Sequence, residues 1–105
     1  MTKRAKKSDA MKLMDKLIGE PLTFGGMLRT IRECDELTLA AFARKLGISR
    51  SNLCDIEHER KGVSLPRAAK WARVLGYPER QFIALALQAE IDAAGLNYNV
   101  EINAA

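Results

Sequence analysis

The residues that could do chemistry in this chain are few. Cys54 and His58 lie four positions apart, so on a helix they would share one face and could supply two ligands for a metal ion. No second pair of ligands stands at a similar spacing, and Cys34 would have to come close to complete a site. His58 is the only histidine, so a hydrolase would have to combine it with one of several scattered serines. We therefore expect no metal, no cofactor and no enzymatic activity.

Two further features exclude other classes of protein. The pair Gly25-Gly26 does not follow a strand pattern and lacks the glycine spacing of a phosphate-binding loop. No apolar run approaches the roughly 20 residues of a membrane span. Two cysteines without a secretion signal indicate reduced thiols, so we expect a cytoplasmic protein.

Charge is distributed unevenly along the 105 residues, which carry 17 basic and 13 acidic side chains and a net charge of +4. Residues 1–76 hold sixteen basic and nine acidic residues, a net charge of +7, whereas residues 77–105 hold one basic and four acidic residues, a net charge of −3. This asymmetry predicts a polyanionic partner for the basic part and a different partner for the acidic end.

The elements that must position these residues are predicted to be helices. Apolar residues recur at helical spacing in six segments, near 8–18, 23–34, 38–46, 49–58, 64–75 and 78–94. A serine or threonine suited to an N-cap begins five of them, and most end at a glycine. Residues 1–7 show no apolar periodicity and are interpreted as a basic arm.

The last residues change to a period of two. Leu96, Tyr98, Val100 and Ile102 alternate with polar residues, which predicts a short strand. A strand needs a partner for its backbone groups, so we expect it to pair with a second copy of the chain or with another protein. A frayed tail is the alternative.

The most informative segment is TLAAFARKLGISRSNLCDI, residues 38–56. The segment predicts two short helices joined at Gly47, with the small Ala43 where the helices cross. Here the chain resembles the phage Cro and lambda-repressor type of helix-turn-helix proteins, the XRE family, over about residues 24–83. The resemblance is based on nine residues and their spacing: Phe42, Ala43, Leu46, Gly47, Ile48, Ser49, Leu53, Ile56 and Glu57.

The resemblance implies an all-α, five-helix domain at residues 23–83 that binds double-stranded DNA. It is preceded by a basic arm and an extra helix (1–22) and followed by the end of the last helix and the strand (84–105). In this family the second helix of the motif lies in the major groove. The resemblance makes Arg50, Ser51 and Asp55 the base-reading candidates, with Ser49 and Asn52 beside them.

These candidates differ in what they offer to DNA. The guanidinium of Arg50 can bond guanine O6 and N7 together, and Ser51 can donate or accept a hydrogen bond. Asp55 leaves several roles open: it could accept from a cytosine amine, repel phosphates as a filter, hold Arg50 in place, or be a solvated helix position.

Phosphate contacts and an orienting ion pair are also implied. The phosphate candidates around the motif are Thr38, Arg44, Lys45, Arg60 and Lys61, and the arm offers Lys3, Arg4, Lys6 and Lys7. Arg32 and Glu57 stand where relatives form a partly buried ion pair. Leu39 stands where many relatives have a glutamine that bonds a phosphate, so one polar contact is missing.

Two functions fit these expectations. The first is a transcriptional regulator, a repressor, that reads a palindromic operator as a homodimer, with Leu96, Tyr98, Val100 and Ile102 in the dimer or partner contact. The second is the antitoxin of a type II toxin–antitoxin pair, because small XRE proteins with extra terminal segments look like HigA-type antitoxins. Such proteins neutralise a RelE/HigB-like ribonuclease toxin and regulate their own operon, and an acidic tail would suit a basic partner. Either would act in a bacterial or phage-infected cytoplasm, at the nucleoid.

Overall fold

The computed structural model of the protein describes residues 22–103. The predicted basic arm and the predicted helix at 8–18 lie outside the described residues. The chain forms two compact units, which divide between Arg60 and Lys61. No helix within residues 22–103 is both long enough and apolar enough to cross a membrane.

The described part of the first unit, residues 22–60, contains three helices: α1 (Phe24–Cys34), α2 (Leu39–Leu46) and α3 (Arg50–Glu57). Each begins at a predicted cap, where a hydroxyl oxygen of Thr23, Thr38 or Ser49 accepts a hydrogen bond from an amide three residues later. Its fully buried core is formed by side chains that repeat at helical spacing: Met27, Leu28, Ile31, Phe42 and Leu53.

The turn between α2 and α3 is the short one that the sequence predicted. Gly47 takes a left-handed conformation (φ 78°), which an L side chain adopts only with strain. The amide of Ile48 then donates to the carbonyl of Ala43 at 3.0 Å, and Ala43 itself is buried. The chain thus turns within the three residues 47–49, as a helix-turn-helix requires.

The start of α1 lies against the end of α3. An added Cβ at Gly25 would stand 2.2 Å from the carbonyl oxygen of Ile56 and 3.1 Å from that of Glu57. Only a residue without a side chain therefore permits the two backbones to come this close.

The second unit contains α4 (Leu65–Leu75) and α5 (Glu79–Ala93), which pack on each other. The hydroxyl of Ser64 caps α4, and Pro66 lies in its first turn, where its missing amide hydrogen is not needed. The buried side chains that these helices contribute are Ala68, Trp71, Ala72, Phe82 and Ala86.

The predicted C-terminal strand is wrong. Residues 96–103 have no regular secondary structure, and the described part of the chain contains helices only. The tail instead bonds to its own helix: the side-chain amide of Gln88 donates to the carbonyl of Tyr98 and accepts from the amide of Val100, both at 2.7 Å. The apolar residues do alternate, but two of the backbone groups that a neighbouring strand would have bonded, the Tyr98 carbonyl and the Val100 amide, bond to a side chain instead.

The four predicted partner residues fall into two pairs that differ in solvent exposure. Val100 and Ile102 are half-buried, and Ile102 lines a shallow hollow with residues 78–81 and Ala84 of the same unit. Leu96 and Tyr98 are exposed, at 53% and 68% of their surface. Only the second pair is exposed to solvent.

Candidate nucleic-acid interface

The outward face of α3 carries the predicted DNA-reading residues. Leu53, Ile56 and Glu57 are buried, so the opposite face points away from the core. On that face lie Ser51, Cys54, Asp55 and His58, spaced at helical intervals, with Arg50 at its edge. The pair Cys54 and His58, four positions apart in the sequence, thus shares this face, as the helical spacing predicted.

The N-terminal end of α3 is electropositive. Its first turn holds no acidic residue, and Arg50 stands at the first helical position, where the helix dipole is also positive. Arg50 and Ser51 are exposed, and among residues 22–103 no carboxylate lies within ion-pairing distance of Arg50. This end of the helix is therefore suited to an anion or to the acceptor atoms of bases.

The two neighbouring candidates have local tasks. Ser49 Oγ accepts a hydrogen bond from the amide of Asn52 at 3.1 Å and so caps α3. Asn52 is half-buried, unlike Arg50 and Ser51. The structure thus presents Arg50 and Ser51 outward and uses Ser49 to begin the helix.

Asp55 contacts Arg60, not Arg50. Arg60 Nε donates to Asp55 Oδ1 at 3.0 Å, and Arg60 Nη2 lies 2.8 Å from the same oxygen. The hydrogen bond that Arg60 donates to Asp55 raises the pKa of the exposed Arg60 guanidinium above its usual value. One predicted base-reading residue is therefore joined to one predicted phosphate-binding residue.

The other phosphate candidates are exposed. Thr38 precedes α2, and its Oγ1 accepts from the amide of Ala41 at 3.1 Å, while Arg44 and Lys45 lie in the last turn of that helix. Lys61 is also exposed but belongs to the second unit. Leu39, which replaces the glutamine of many relatives, is half-buried at the start of α2.

Arg32 and Glu57 form a bidentate ion pair that joins α1 to the end of α3. Arg32 Nε and Nη2 donate to the two carboxylate oxygens of Glu57 at 2.8 and 3.1 Å, and Nη1 donates to the carbonyl of Leu37 at 3.1 Å. The side chains are 16% and 1% exposed. The hydrogen bonds to Glu57 raise the pKa of Arg32, and the bidentate contact fixes the end of α3.

Cys54 and His58 lie close together on the outward face of α3. Cys54 Sγ lies 3.7 Å from His58 Nδ1, which is also 2.8 Å from the carbonyl oxygen of Cys54. With that oxygen as acceptor, Nδ1 carries the proton and its lone pair is not free for a metal. No group of three potential ligands occurs among the described residues.

Gly25 is the positioning residue that sequence reasoning missed. The spacing of the glycine pair excluded a phosphate-binding loop but did not indicate a packing role. In the structure Gly25 determines how closely α1 approaches the last residues of α3. A glycine two residues after an N-cap threonine, inside the first turn of α1, was the available signal, because helices normally disfavour glycine.

Comparison with known proteins agrees with this geometry. The family model described as "Helix-turn-helix domain" matches residues 25–88, which is more than half of the chain. The chain belongs to this family and is a DNA-binding regulator of the XRE type. Searches of curated proteins and of solved structures gave no significant match.

Proposed function

We propose that the protein is a sequence-specific transcriptional repressor that reads a palindromic operator as a homodimer. The observation that carries this proposal is the N-terminal end of α3, where Arg50 and Ser51 are exposed on a positively polarised helix end. The Arg32–Glu57 pair and the close approach at Gly25 support it, because they fix the opposite end of the same helix.

In this proposal each residue of the site has a separate task. Arg50 bonds guanine O6 and N7 in the major groove, and Ser51 bonds a neighbouring base edge. Thr38, Arg44 and Lys45 contact phosphates beside the groove and set the register of α3 on the duplex. Binding prevents polymerase from using the same stretch of DNA.

We propose a homodimer because one copy of the protein contacts too few bases to select an operator. One α3 presents only a few side chains to bases, and each good bidentate contact contributes about 1–3 kcal/mol of discrimination. Two copies related by a two-fold axis would read half-sites about 34 Å apart and double that contribution. The operator is then a palindrome.

The test of base reading begins with duplexes that the wild-type protein selects from a randomised library. Arg50→Ala should lower the preference for the selected duplex over a scrambled one by about ten- to a hundredfold, which is the contribution of one bidentate contact. Arg29→Ala removes the same charge from the exposed face of α1 and should leave the preference unchanged. Equal discrimination by wild type and Arg50→Ala would refute the role of Arg50.

The test of the dimer uses the same selection. We expect the enriched sequence to be two-fold symmetric and sedimentation to show two protein copies on each duplex. An asymmetric half-site bound by one copy would show a monomeric reader instead.

A second candidate function, the antitoxin, is favoured by the acidic end of the second unit. Glu90 and Asp92 occupy the C-terminal end of α5, where the helix dipole disfavours negative charge, whereas α1, α2 and α4 carry Arg or Lys in their last turns. The exposed Leu96 and Tyr98 follow directly. An apolar surface with an acidic surround suits a basic protein such as a ribonuclease toxin.

The antitoxin role is tested with the product of a small reading frame adjacent to this gene. We expect that purified product to form a complex with the chain that the double variant Leu96→Ser/Tyr98→Ser weakens at least tenfold. Val74→Ser, which changes another exposed apolar residue of the second unit, is the matched control. No complex with the wild-type chain would exclude this function for that gene pair and leave the DNA-binding proposal intact.

A further inference from the structure

Arg60 is held by Asp55 through both its side chain and its main chain. The guanidinium contacts Asp55 Oδ1 through Nε at 3.0 Å and Nη2 at 2.8 Å. The amide of Arg60 donates to the carbonyl oxygen of Asp55 at 2.8 Å. Arg60 is therefore fixed to α3 although it follows the helix in sequence.

The chain reversal at Glu59 makes this arrangement possible. Glu59 has a left-handed backbone (φ 64°), and its amide donates to the carbonyl of Ile56 at 3.1 Å, which closes the end of α3. The hydroxyl of Thr23 donates to the carboxylate of Glu59 and ties this residue to the start of α1. The reversal returns Arg60 to the outward face of the helix.

The donors of Arg60 are only partly used. A guanidinium has five N–H groups. Nε and Nη2 face Asp55, so this edge of the guanidinium is occupied; on the other edge Nη2 approaches Cys54 Sγ at 3.8 Å, which disfavours a second pair of parallel bonds to a guanine. The two N–H groups of Nη1 are left for a single acceptor, and the side chain is 57% exposed. A phosphate oxygen fits that geometry better than a base edge.

We propose that Asp55 is a positioning residue for DNA binding: it holds Arg60 so that Nη1 contacts a backbone phosphate. In this role Asp55 does not itself read a base. This inference rests on the proposed DNA-binding function. An unpaired carboxylate on this face would repel phosphates, whereas the pair is neutral as a whole and presents its N–H groups outward.

The sign of one substitution separates this role from simple electrostatics. Asp55→Ala raises the net charge of the protein by one, so charge alone predicts tighter binding to any DNA. A positioning role predicts weaker binding. Without Asp55 the Arg60 side chain is mobile in the free protein, so it must lose rotamer freedom when it binds the phosphate.

The experiment measures affinity, at several salt concentrations, for the duplex that the wild-type protein selects from a randomised library. Asp55→Ala should weaken binding about tenfold and reduce the slope of log affinity against log salt by about 0.9, the value for one phosphate contact. Asp55→Asn keeps an oxygen that accepts from Arg60 Nε and should rescue most of the affinity. In an Arg60→Ala background, Asp55→Ala should cause no further loss.

Glu33→Ala is the matched control. It also removes a carboxylate from an exposed pair with an arginine, since Arg29 Nε lies 3.2 Å from Glu33 Oε2 on α1. We expect its affinity and salt slope to stay at the wild-type values, and circular dichroism verifies that each variant is folded.

Four results would overturn the proposal. Tighter binding of Asp55→Ala to selected and scrambled duplexes alike would make Asp55 a repulsive filter. Loss of preference at one base pair, persisting in the Arg60→Ala background, would make it a base reader. Unchanged binding would remove any role for the pair while the DNA-binding function stands, whereas a wild-type protein that selects no sequence would end both proposals.

Discussion

Gly25→Ala is the substitution whose effect the structure defines most sharply. The new Cβ would stand 2.2 Å from the carbonyl oxygen of Ile56, whereas ordinary contacts begin near 3.4 Å. The clash is between backbones of α1 and α3, so no side chain can rotate away and the helices must separate by about 1 Å. The movement would also pull Glu57 away from Arg32.

The magnitude follows from two opposing contributions. Overpacking of this kind costs about 1–3 kcal/mol, and strain between two main chains belongs to the upper part of that range. Alanine offsets about 0.5–1 kcal/mol because it is the better helix former. We expect a net loss of about 2 kcal/mol in the free energy of unfolding, which corresponds to a thermal midpoint about 8–16 °C lower.

Thermal and urea unfolding followed by circular dichroism measure this change, with Gly62→Ala as the control. A Cβ at Gly62 meets no atom within 4 Å, so its midpoint should stay within a few degrees of wild type. A Gly25→Ala midpoint equal to that of wild type would refute the reasoning, because it would mean that α1 and α3 separate without loss of contact energy.

Three further predictions concern other contacts. Glu57→Ala should cost about 3 kcal/mol in unfolding experiments, the lower end of the range for buried ion pairs, because it leaves the partly buried Arg32 guanidinium without its carboxylate; Glu33→Ala in an exposed pair should cost under about 0.5 kcal/mol, and equal costs would contradict this. Gln88→Ala should speed hydrogen exchange at the Val100 amide, and unchanged protection would refute the tethering of the tail. Gly47→Ala should destabilise by about 1–2 kcal/mol through backbone strain alone, since its Cβ meets nothing within 4 Å; no change in the urea midpoint would contradict it.

Much of the helical structure was predictable because its determinants are local. Thr23, Thr38, Ser49 and Ser64 stand where caps were expected, and each oxygen bonds an amide three residues later. The apolar spacing likewise identified the buried face of each described helix.

The tail shows where pattern reasoning failed. Alternation at Leu96, Tyr98, Val100 and Ile102 predicted a strand, but a strand exists only when a second strand supplies its hydrogen bonds. Gln88, twelve residues before Val100, supplies them from a helix side chain instead. A period of two in the sequence does not reveal which group will satisfy the backbone.

The DNA-reading site divides in the same way. Arg50 and Ser51 were predicted from the family resemblance, and the structure places both on the exposed start of α3. The partner of Asp55 was not predictable, since Arg50 and Arg60 both lie five residues away and only the left-handed turn at Glu59 brings Arg60 back.

The sequence by itself determined where the described helices begin and end, which faces are buried, and that the chain is a helix-turn-helix protein. Caps, glycine turns and apolar periodicity act within three or four residues, so they can be recognised in the amino-acid sequence. Only the tertiary structure decided the close approach at Gly25, the pairing of Asp55 with Arg60, and the bonding of the tail to Gln88. These depend on which groups meet when separate segments pack, and the backbone geometry that brings them together is not encoded by spacing alone.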